Sequence, residues 1–513
     1  MTSKDCVAYA VKQATVNGVF VVIFGKLRSE NIKNIGVKQL KSSECKIQKV
    51  RSENTKKFGV FCKCRIKSVS LSRFHIIVPT RDRILDNTNM KYLERVGDEE
   101  LKRKLRSSAA VLIEGPKWCG KTSMGAQVAK SIVYIQDPDK RSMYRKMADT
   151  QPSLLLEGDT PHMLDEWQTI PVLWDAVRFA ADQRQQMNQF ILTGSATPLD
   201  AKENSEIEHT GTGRIARLRL RPMSLWESQE SRGQVSLKAL FDGTQTMGLF
   251  ESPLTIKDIA YTMCRGGWPG ALALEKDDAL NVAVNIVDEL INTDVNKVDG
   301  SEKNPDRVRA VLRSYARNVS TMAAANTIMA DVRANDVSIT DKTLSNYLTA
   351  LRRLFVIEDV KAWQPSLRSK TGIRTSDKRH FVDASIATAV LELTPKSLLE
   401  DFNLFGFLFE DFCLRDVRIY TEALRGSVFH YHDNSGLESD LIIRLHDGRW
   451  AAIEVKTGSK EIDDAAENLK TLADEVDTSK IGEQAFLMVL TGGQYAYRRE
   501  DGVYIVPIAC LRP

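Results

Sequence analysis

"GPKWCGKT", residues 115–122, decides how this chain is read. It fits Gly-x-x-x-x-Gly-Lys-[Ser/Thr], a loop whose backbone N–H groups, lysine and hydroxyl hold nucleotide phosphates. The pattern needs a strand before it and a helix after it. Upstream, "SAAVLIEG" (108–115) is an apolar run ending in glycine and reads as a buried parallel strand. Downstream, "GKTSMGAQVAKSI" has helical spacing. Gly115 and Gly120 let the backbone curl, and the helix N-terminus adds partial positive charge beside the phosphates. Lys121 reaches the β- and γ-phosphates, and Thr122 ligates Mg²⁺. Pro116, Lys117, Trp118, Cys119 and Ser123 complete the candidate cofactor-binding set. Cys119 reads as a small loop residue, the alternative being a thiol that makes the site oxidisable.

Two further strand tips carry suitable chemistry. In "PHMLDEWQTIP" the short run His162-Met163-Leu164 feeds two acids. Asp165 is expected to hold Mg²⁺ through water, and Glu166 to polarise the attacking water. The other reading is an acidic helix N-terminus, because "IPVLWDAVRFAADQR" is helical from Pro171. It leaves unexplained why the acids follow an apolar strand. In "NQFILTGSATPL", Phe190 to Leu192 make another buried strand, with Thr193, Gly194 and Ser195 at its carboxyl end. Ligands of open parallel sheets bind beyond those ends, so Thr193 or Ser195 is a candidate γ-phosphate sensor. Arg214 and Arg217 follow in "GTGRIARLRLRPMSLWE". Either arginine stabilises γ-phosphate charge, in cis or from a neighbouring subunit, or both are solvent residues of an alternating strand. For Arg214 the two readings are equal; for Arg217 the solvent reading is preferred.

At 513 residues the chain is too long for one core, which suggests three or four domains. Composition is that of a globular protein, 42% hydrophobic and 27% charged. No apolar run approaches the roughly 18 residues of a membrane span, and "VNGVFVVIFG" lacks a signal peptide's basic leader and cleavage site. A cytoplasmic protein with reduced thiols is expected. The net charge of +5 hides an asymmetry: residues 1–80 hold 16 Lys/Arg against 4 Asp/Glu, so the remainder is acidic by 7. Cys62 and Cys64 form a C-x-C without two further ligands, so zinc is not expected. Residues 1–89 read as a basic nucleic-acid arm, or as a non-native or disordered extension upstream of a start at Met90; the second reading is preferred.

The stretches "IEGPKWCGKTS", "MLDEWQTIP", "FILTGSAT", "GRIARLRLRPMSLWE", "CRGGWPGAL" (264–272), "YLTALRRLFVIEDV" (347–360), "KRHFVDASIATAVL" (378–391) and "GLESDLIIRLHDGRWAAIEVKTG" (436–458) run in one order from about residue 90 to the end. That series resembles the prokaryotic AAA-type ATPases whose C-terminal region is domain of unknown function 4143. The resemblance implies an AAA-like nucleotide domain, a winged-helix segment and a C-terminal fold like that of restriction endonucleases. The first ninety residues have no counterpart in it.

The residues beyond the nucleotide core fit that outline. "DRVRAVLRSYARNVS" and "SITDKTLSNYLTALRRLFVIEDV" read as helices, the second capped by Ser338 or Thr340 and running into a strand. Lys342, Arg352 and Arg353, with a loop carrying Arg368, Lys370, Arg374, Lys378 and Arg379, either meet a DNA backbone or form a solvated, docking face. "FLFEDFCLR" reads as an amphipathic helix presenting Glu410, "ESDLIIRL" as an alternating strand with Asp440 at its start, and "RWAAIEVKTG" as a strand with Glu454 and Lys456 on one face. This order resembles the PD-(D/E)xK nuclease core, where the carboxylates bind a second Mg²⁺ and the lysine positions water.

The expected fold is therefore α/β: a P-loop NTPase parallel sheet, a helical and winged-helix segment, and a restriction-endonuclease-like α/β domain. The expected divisions are 1–89 (extension), 90–250 (ATPase), 251–300 (helical connector), 301–385 (winged helix) and 386–513 (nuclease-like). The leading functional expectation is an ATP- and Mg²⁺-dependent switch ATPase that does not span a membrane. Its alternatives are an ATP-gated nuclease and a DNA-binding module with nucleotide as ligand. An arginine finger in trans would require a homo-oligomer.

Overall fold

The computed structural model describes residues 92–196, 213–298, 302–334, 338–369 and 371–513, together with the backbone of four strands before residue 65. Those four pair as two antiparallel hairpins, Ala8–Val16 with Val19–Leu27 and Cys45–Arg51 with Phe58–Cys64. Residues 1–89 and 90–513 form separate compact units. Met90, Lys370 and the side chains of Cys62 and Cys64 lie outside the described residues. Among the described residues no helix is long and apolar enough to cross a membrane.

Five parallel strands form the sheet of the second unit: β1 (Ala110–Glu114), β2 (Ser131–Tyr134), β3 (His162–Asp165), β4 (Phe190–Gly194) and β5 (Ile215–Arg219). Their spatial order is β2-β3-β4-β1-β5. The register aligns the carboxyl ends: Glu114 faces Gly194 and Arg219, and Asp165 faces Tyr134. β1 and β4 are buried throughout because helices cover both faces, as a doubly covered parallel sheet requires. Helix α1 (Gly97–Ser107) inserts Leu101 and Leu105 on one side, while α3 (Val172–Arg184) packs Leu173, Trp174 and Val177 on the other. Helix α2 (Lys121–Val128) is shorter than its sequence spacing suggests, since Ser131 and Ile132 belong to β2. It lies so close to the sheet that a Cβ on Gly125 would come within 2.7 Å of the Met163 sulfur.

Beyond the sheet come α4 (Lys276–Glu289), a π-helical turn at Leu290–Asp294, α5 (Pro305–Arg317), α6 (Ala325–Arg333) and α7 (Asp341–Arg353). Thr340, not Ser338, caps α7, accepting from Thr343 N. The strand expected after α7 is reduced to two antiparallel rungs, Ile357 to Phe381 and Val360 to Lys378.

The C-terminal sheet has seven strands: β6 (Phe250–Glu251), β7 (Gly426–His432), β8 (Glu438–Leu445), β9 (Trp450–Lys456), β10 (Gln484–Thr491), β11 (Tyr495–Arg498) and β12 (Tyr504–Pro507). Their order is β6-β11-β12-β10-β9-β8-β7. Helix α8 (Phe402–Ala423) covers one face and α9 (Ile462–Glu475) the other. Two sequence expectations change here. β8 does not alternate; it is buried from Ser439 to Ile443 because both faces are covered. Nor is α8 amphipathic, for every residue from Leu408 to Thr421 is buried.

Val235–Ser236 pairs with the terminal Leu511–Arg512 as a separate two-stranded sheet, and β6 adds to the C-terminal sheet. One apolar core runs from Leu225 to Leu511 and includes α4 to α8. Close backbone contacts weld the joint: Met223 N donates to Gly267 O at 2.6 Å, and a Cβ on Gly267 would fall 2.1 Å from Met223 O. The quoted "RPMSLWE" and "CRGGWPGAL" stretches are the two sides of this joint.

Candidate functional site

The phosphate loop leaves β1 at Gly115, where a Cβ would lie 2.0 Å from Leu220 O. Gly120, with φ 99°, sits in the left-handed region that admits glycine and starts α2. Lys121 is 5% exposed, and its ammonium donates to the carbonyls of Gly115 (3.0 Å) and Pro116 (2.7 Å). Among the described residues no carboxylate pairs with it. A buried cation held only by carbonyls is matched to an anionic ligand, because burying an unpaired charge is costly.

Thr122, Asp165 and Thr193 meet at the strand tips. Asp165 Oδ1 accepts from Thr122 Oγ1 and Thr193 Oγ1, each at 2.7 Å. Thr193 Oγ1 also accepts from Glu166 N at 3.0 Å, which fixes the left-handed Glu166 (φ 57°). Glu166 Oε2 takes hydrogen bonds from Ser195 Oγ (3.1 Å) and Gln168 Nε2 (2.5 Å). The expected residues of three separate segments are thus one hydrogen-bonded chain. Gln168 was missed from the sequence, although it stands two residues from Glu166 in the quoted acidic stretch. The hydroxyl and carboxylate oxygens of Thr122 and Asp165 form a hard-oxygen donor set of the kind Mg²⁺ takes.

Other expected residues fall elsewhere. Trp118 is 65% exposed with φ 65°, and Ser123 points outward. Cys119 is fully buried, its thiol faces Leu220 O, and burial pushes its pKa up, which fits the small loop residue and not the oxidisable thiol. Lys117 reaches out of the loop to Asp294 (2.5 Å) and Glu289 (3.2 Å), at the π-helical turn. Arg214 precedes β5 at the amino edge of the sheet and pairs with Asp182 at 2.7 Å. A five-residue strand, about 16 Å, separates it from the loop in cis. Arg217 pairs with Glu114 and is half-exposed. The arginine that tertiary structure places at the carboxyl edge of β5 is Arg219, 3.6 Å from Glu114.

The C-terminal expectation is met in part. Glu410, Asp440 and Lys456 line one open cavity of about 460 Å³. Glu454 lies beside them, bonded to Lys456 at 2.9 Å. Burial and the Asp440 charge raise Glu454 to about 8. Burial opposes ionisation of Asp440, but Lys378 and Lys456 outweigh it and hold Asp440 at about 2. The expected second Mg²⁺ site is not formed: among the described residues no three His, Cys, Asp or Glu side chains converge at ligating geometry. Lys378 stands between two of the expected carboxylates, its Nζ 2.6 Å from Glu410 and 2.9 Å from Asp440. Part of the expected basic surface is paired: Arg352 and Arg379 with Asp359, Lys378 with Glu410 and Asp440, and Arg353 with Val298 O, while Lys342, Arg368 and Arg374 are exposed.

Three family models match the chain: an AAA domain over residues 107–229, a domain of unknown function 8612 over 256–397, and domain of unknown function 4143 over 405–511. The middle one spans both the expected connector and the expected winged-helix segment. Relatives include the uncharacterized proteins Mb2031c of Mycobacterium bovis and Rv2008c of Mycobacterium tuberculosis. Each is 22% identical over 367 residues, covering 70% of this chain and 73% of the relative. Among solved structures, the Walker-type ATPase of Pyrococcus abyssi is similar at 14% identity and a TM-score of 0.37, over 57% of this chain and 94% of that one. The ORC2 protein of Aeropyrum pernix in its ADP form is similar at 13% and 0.26, over 64% and 97%. The P-loop fold rests on the strand order and loop geometry above.

Proposed function

From the premise that this chain joins an AAA-type P-loop domain to domain of unknown function 4143, we propose that it is an Mg²⁺-dependent ATPase acting as a conformational switch. The observation that carries the reading is Lys121, a buried ammonium with no acidic partner among the described residues, at the mouth of a glycine-bounded loop. Gly115, Gly120, Lys121 and the first N–H groups of α2 would hold the triphosphate. Thr122 and Asp165 would hold Mg²⁺, which supplies charge neutralisation on the phosphate oxygens. Glu166 is the group that orients and polarises water, and Ser195 and Gln168 keep its carboxylate aimed. Thr193 ties Glu166 to Asp165, so metal and water positions move together.

The switch reading is supported by what touches the loop from outside. Lys117 clasps α4 and the π-helical turn through Glu289 and Asp294. Such turns recur at functional sites because they break the regular helical ladder. A change of loop geometry on nucleotide exchange would therefore pull on α4, whose inner face is continuous with the C-terminal core. Arg214 serves this reading only in trans. The ATP-gated nuclease is not adopted, because Lys378 stands between two of the carboxylates it needs.

Phosphate release by the full chain, with and without DNA, tests the proposal. Lys121→Ala is expected to abolish turnover; unchanged turnover refutes the assignment.

A further inference from the structure

The cavity beside α8 holds the acids of a metal-dependent nuclease, yet its centre is already taken by a cation of the chain itself. Glu410 comes from α8, Asp440 is the third residue of β8, and Glu454 and Lys456 lie on β9. Lys378 reaches them from the rung it shares with Val360, with both backbone hydrogen bonds of that rung at 2.9 Å. Its ammonium sits 2.6 Å from Glu410 Oε1 and 2.9 Å from Asp440 Oδ1, and its side chain is 13% exposed. The second oxygen of Asp440 accepts from Val455 N at 2.9 Å, so that carboxylate cannot turn away without losing a buried bond. On the other side Lys456 engages Glu454 Oε2, while Glu454 Oε1 is buried without a hydrogen-bond partner among the described residues.

A divalent ion bridging two carboxylates sits about 2.0–2.6 Å from their oxygens. An ammonium bridging the same pair occupies the same volume, and the two exclude each other. We infer that Lys378 is a built-in cation that fills the divalent-ion position of this cavity, so that the native C-terminal domain takes up no Mg²⁺ or Mn²⁺ there and a latent metal site lies beneath the lysine. The rung at Val360 fixes the backbone of the lysine, and its ammonium is held by Glu410 and Asp440. Removing Lys378 leaves Glu410 and Asp440 without the cation between them, a pair that a divalent ion can bridge. The inference stands apart from the nucleotide reading, since no residue of the phosphate loop enters it.

The test is titration of Mn²⁺ alone into the nucleotide-free full chain, followed by electron paramagnetic resonance. Four proteins are compared: wild type, Asp440→Asn, Lys378→Met and the double variant Lys378→Met with Asp440→Asn. Binding at the phosphate loop is common to all four and cancels. Lys378→Met is expected to gain one Mn²⁺ site, at least about tenfold tighter than any background site, and the double variant to lose it. A wild-type site that Asp440→Asn removes overturns the inference, and so does a folded Lys378→Met protein with no added site. If Lys378→Met does not fold, the melting temperature of Lys378→Gln with and without Mn²⁺ decides. A rise confined to that variant supports the inference; no rise, or an equal rise in wild type, overturns it.

Discussion

Replacing Arg221 by methionine should loosen the joint between the nucleotide core and everything after it. Arg221 lies two residues beyond β5, with its side chain 4% exposed. One edge of its guanidinium holds Glu358 at 2.7 and 2.8 Å, and the other holds Glu422 at 2.8 and 2.8 Å. Its carbonyl accepts from Arg95, whose Nη1 supports the phosphate loop at Cys119 O. Glu422 is 44% exposed, so it returns to water and contributes less than about 1 kcal/mol. Glu358 is different. Its side chain is only 14% exposed, and breaking such a largely buried pair from one side costs about 3–5 kcal/mol because a charge is stranded. Arg219 at 3.4 Å and Arg418 at 3.7 Å remain near Glu358, which places the loss near the bottom of that range, about 3 kcal/mol. Burial alone would raise the Glu358 pKa, but Arg221 and Arg418 reverse it and hold the group well below its ordinary value. A depressed carboxylate stabilises the fold above its unfolded pKa and loses that contribution as pH falls through the folded one. Arg221→Met should therefore also be less sensitive to acid. The assay is urea denaturation at pH 7, followed by tryptophan fluorescence, on Arg221→Met, Glu358→Gln and the pair. The double variant should be more stable than the sum of the single losses predicts. A loss under about 1 kcal/mol, or strictly additive singles, refutes the reasoning.

Thr193→Val removes the bond to Asp165 and leaves Glu166 N without its acceptor, so kcat should fall roughly 10- to 100-fold while nucleotide affinity holds within about threefold. Single-turnover phosphate release read beside nucleotide titration checks this; lost affinity at unchanged kcat contradicts it. His430→Gln should flatten the loss of stability in acid. His430 is 2% exposed, and burial first, then Lys378 and His432, depress its pKa to about 4, while its Nε2 donates to Ser376 O. A base that titrates lower in the fold than in the unfolded chain contributes stability above pH 6.5 that disappears as pH falls towards 4, up to about 3 kcal/mol. Thermal denaturation between pH 7 and pH 4 measures the difference, and an unchanged slope in the variant counts against it.

The nucleotide core was legible in one dimension because its determinants are local. Apolar runs of strand length end in Gly115, Asp165 and Thr193, and a parallel sheet with common register must bring such ends to one edge. The lysine and the glycines of the loop are set by phosphate geometry within eight residues. What lies far apart in sequence was decided by packing. Arg214 looks well placed beside a strand until the direction of β5 puts it at the wrong edge. The long helix α8 reads as amphipathic until sheet and helices enclose it on all sides. Lys378 reads as one more cation in a basic loop. Only the pairing of its rung with Val360 turns it inward, 62 residues from Asp440 in sequence and 2.9 Å away in space. Sequence periodicity reports which neighbours share a face, whereas the partner of a buried charge is chosen by long-range contacts that a one-dimensional pattern does not carry.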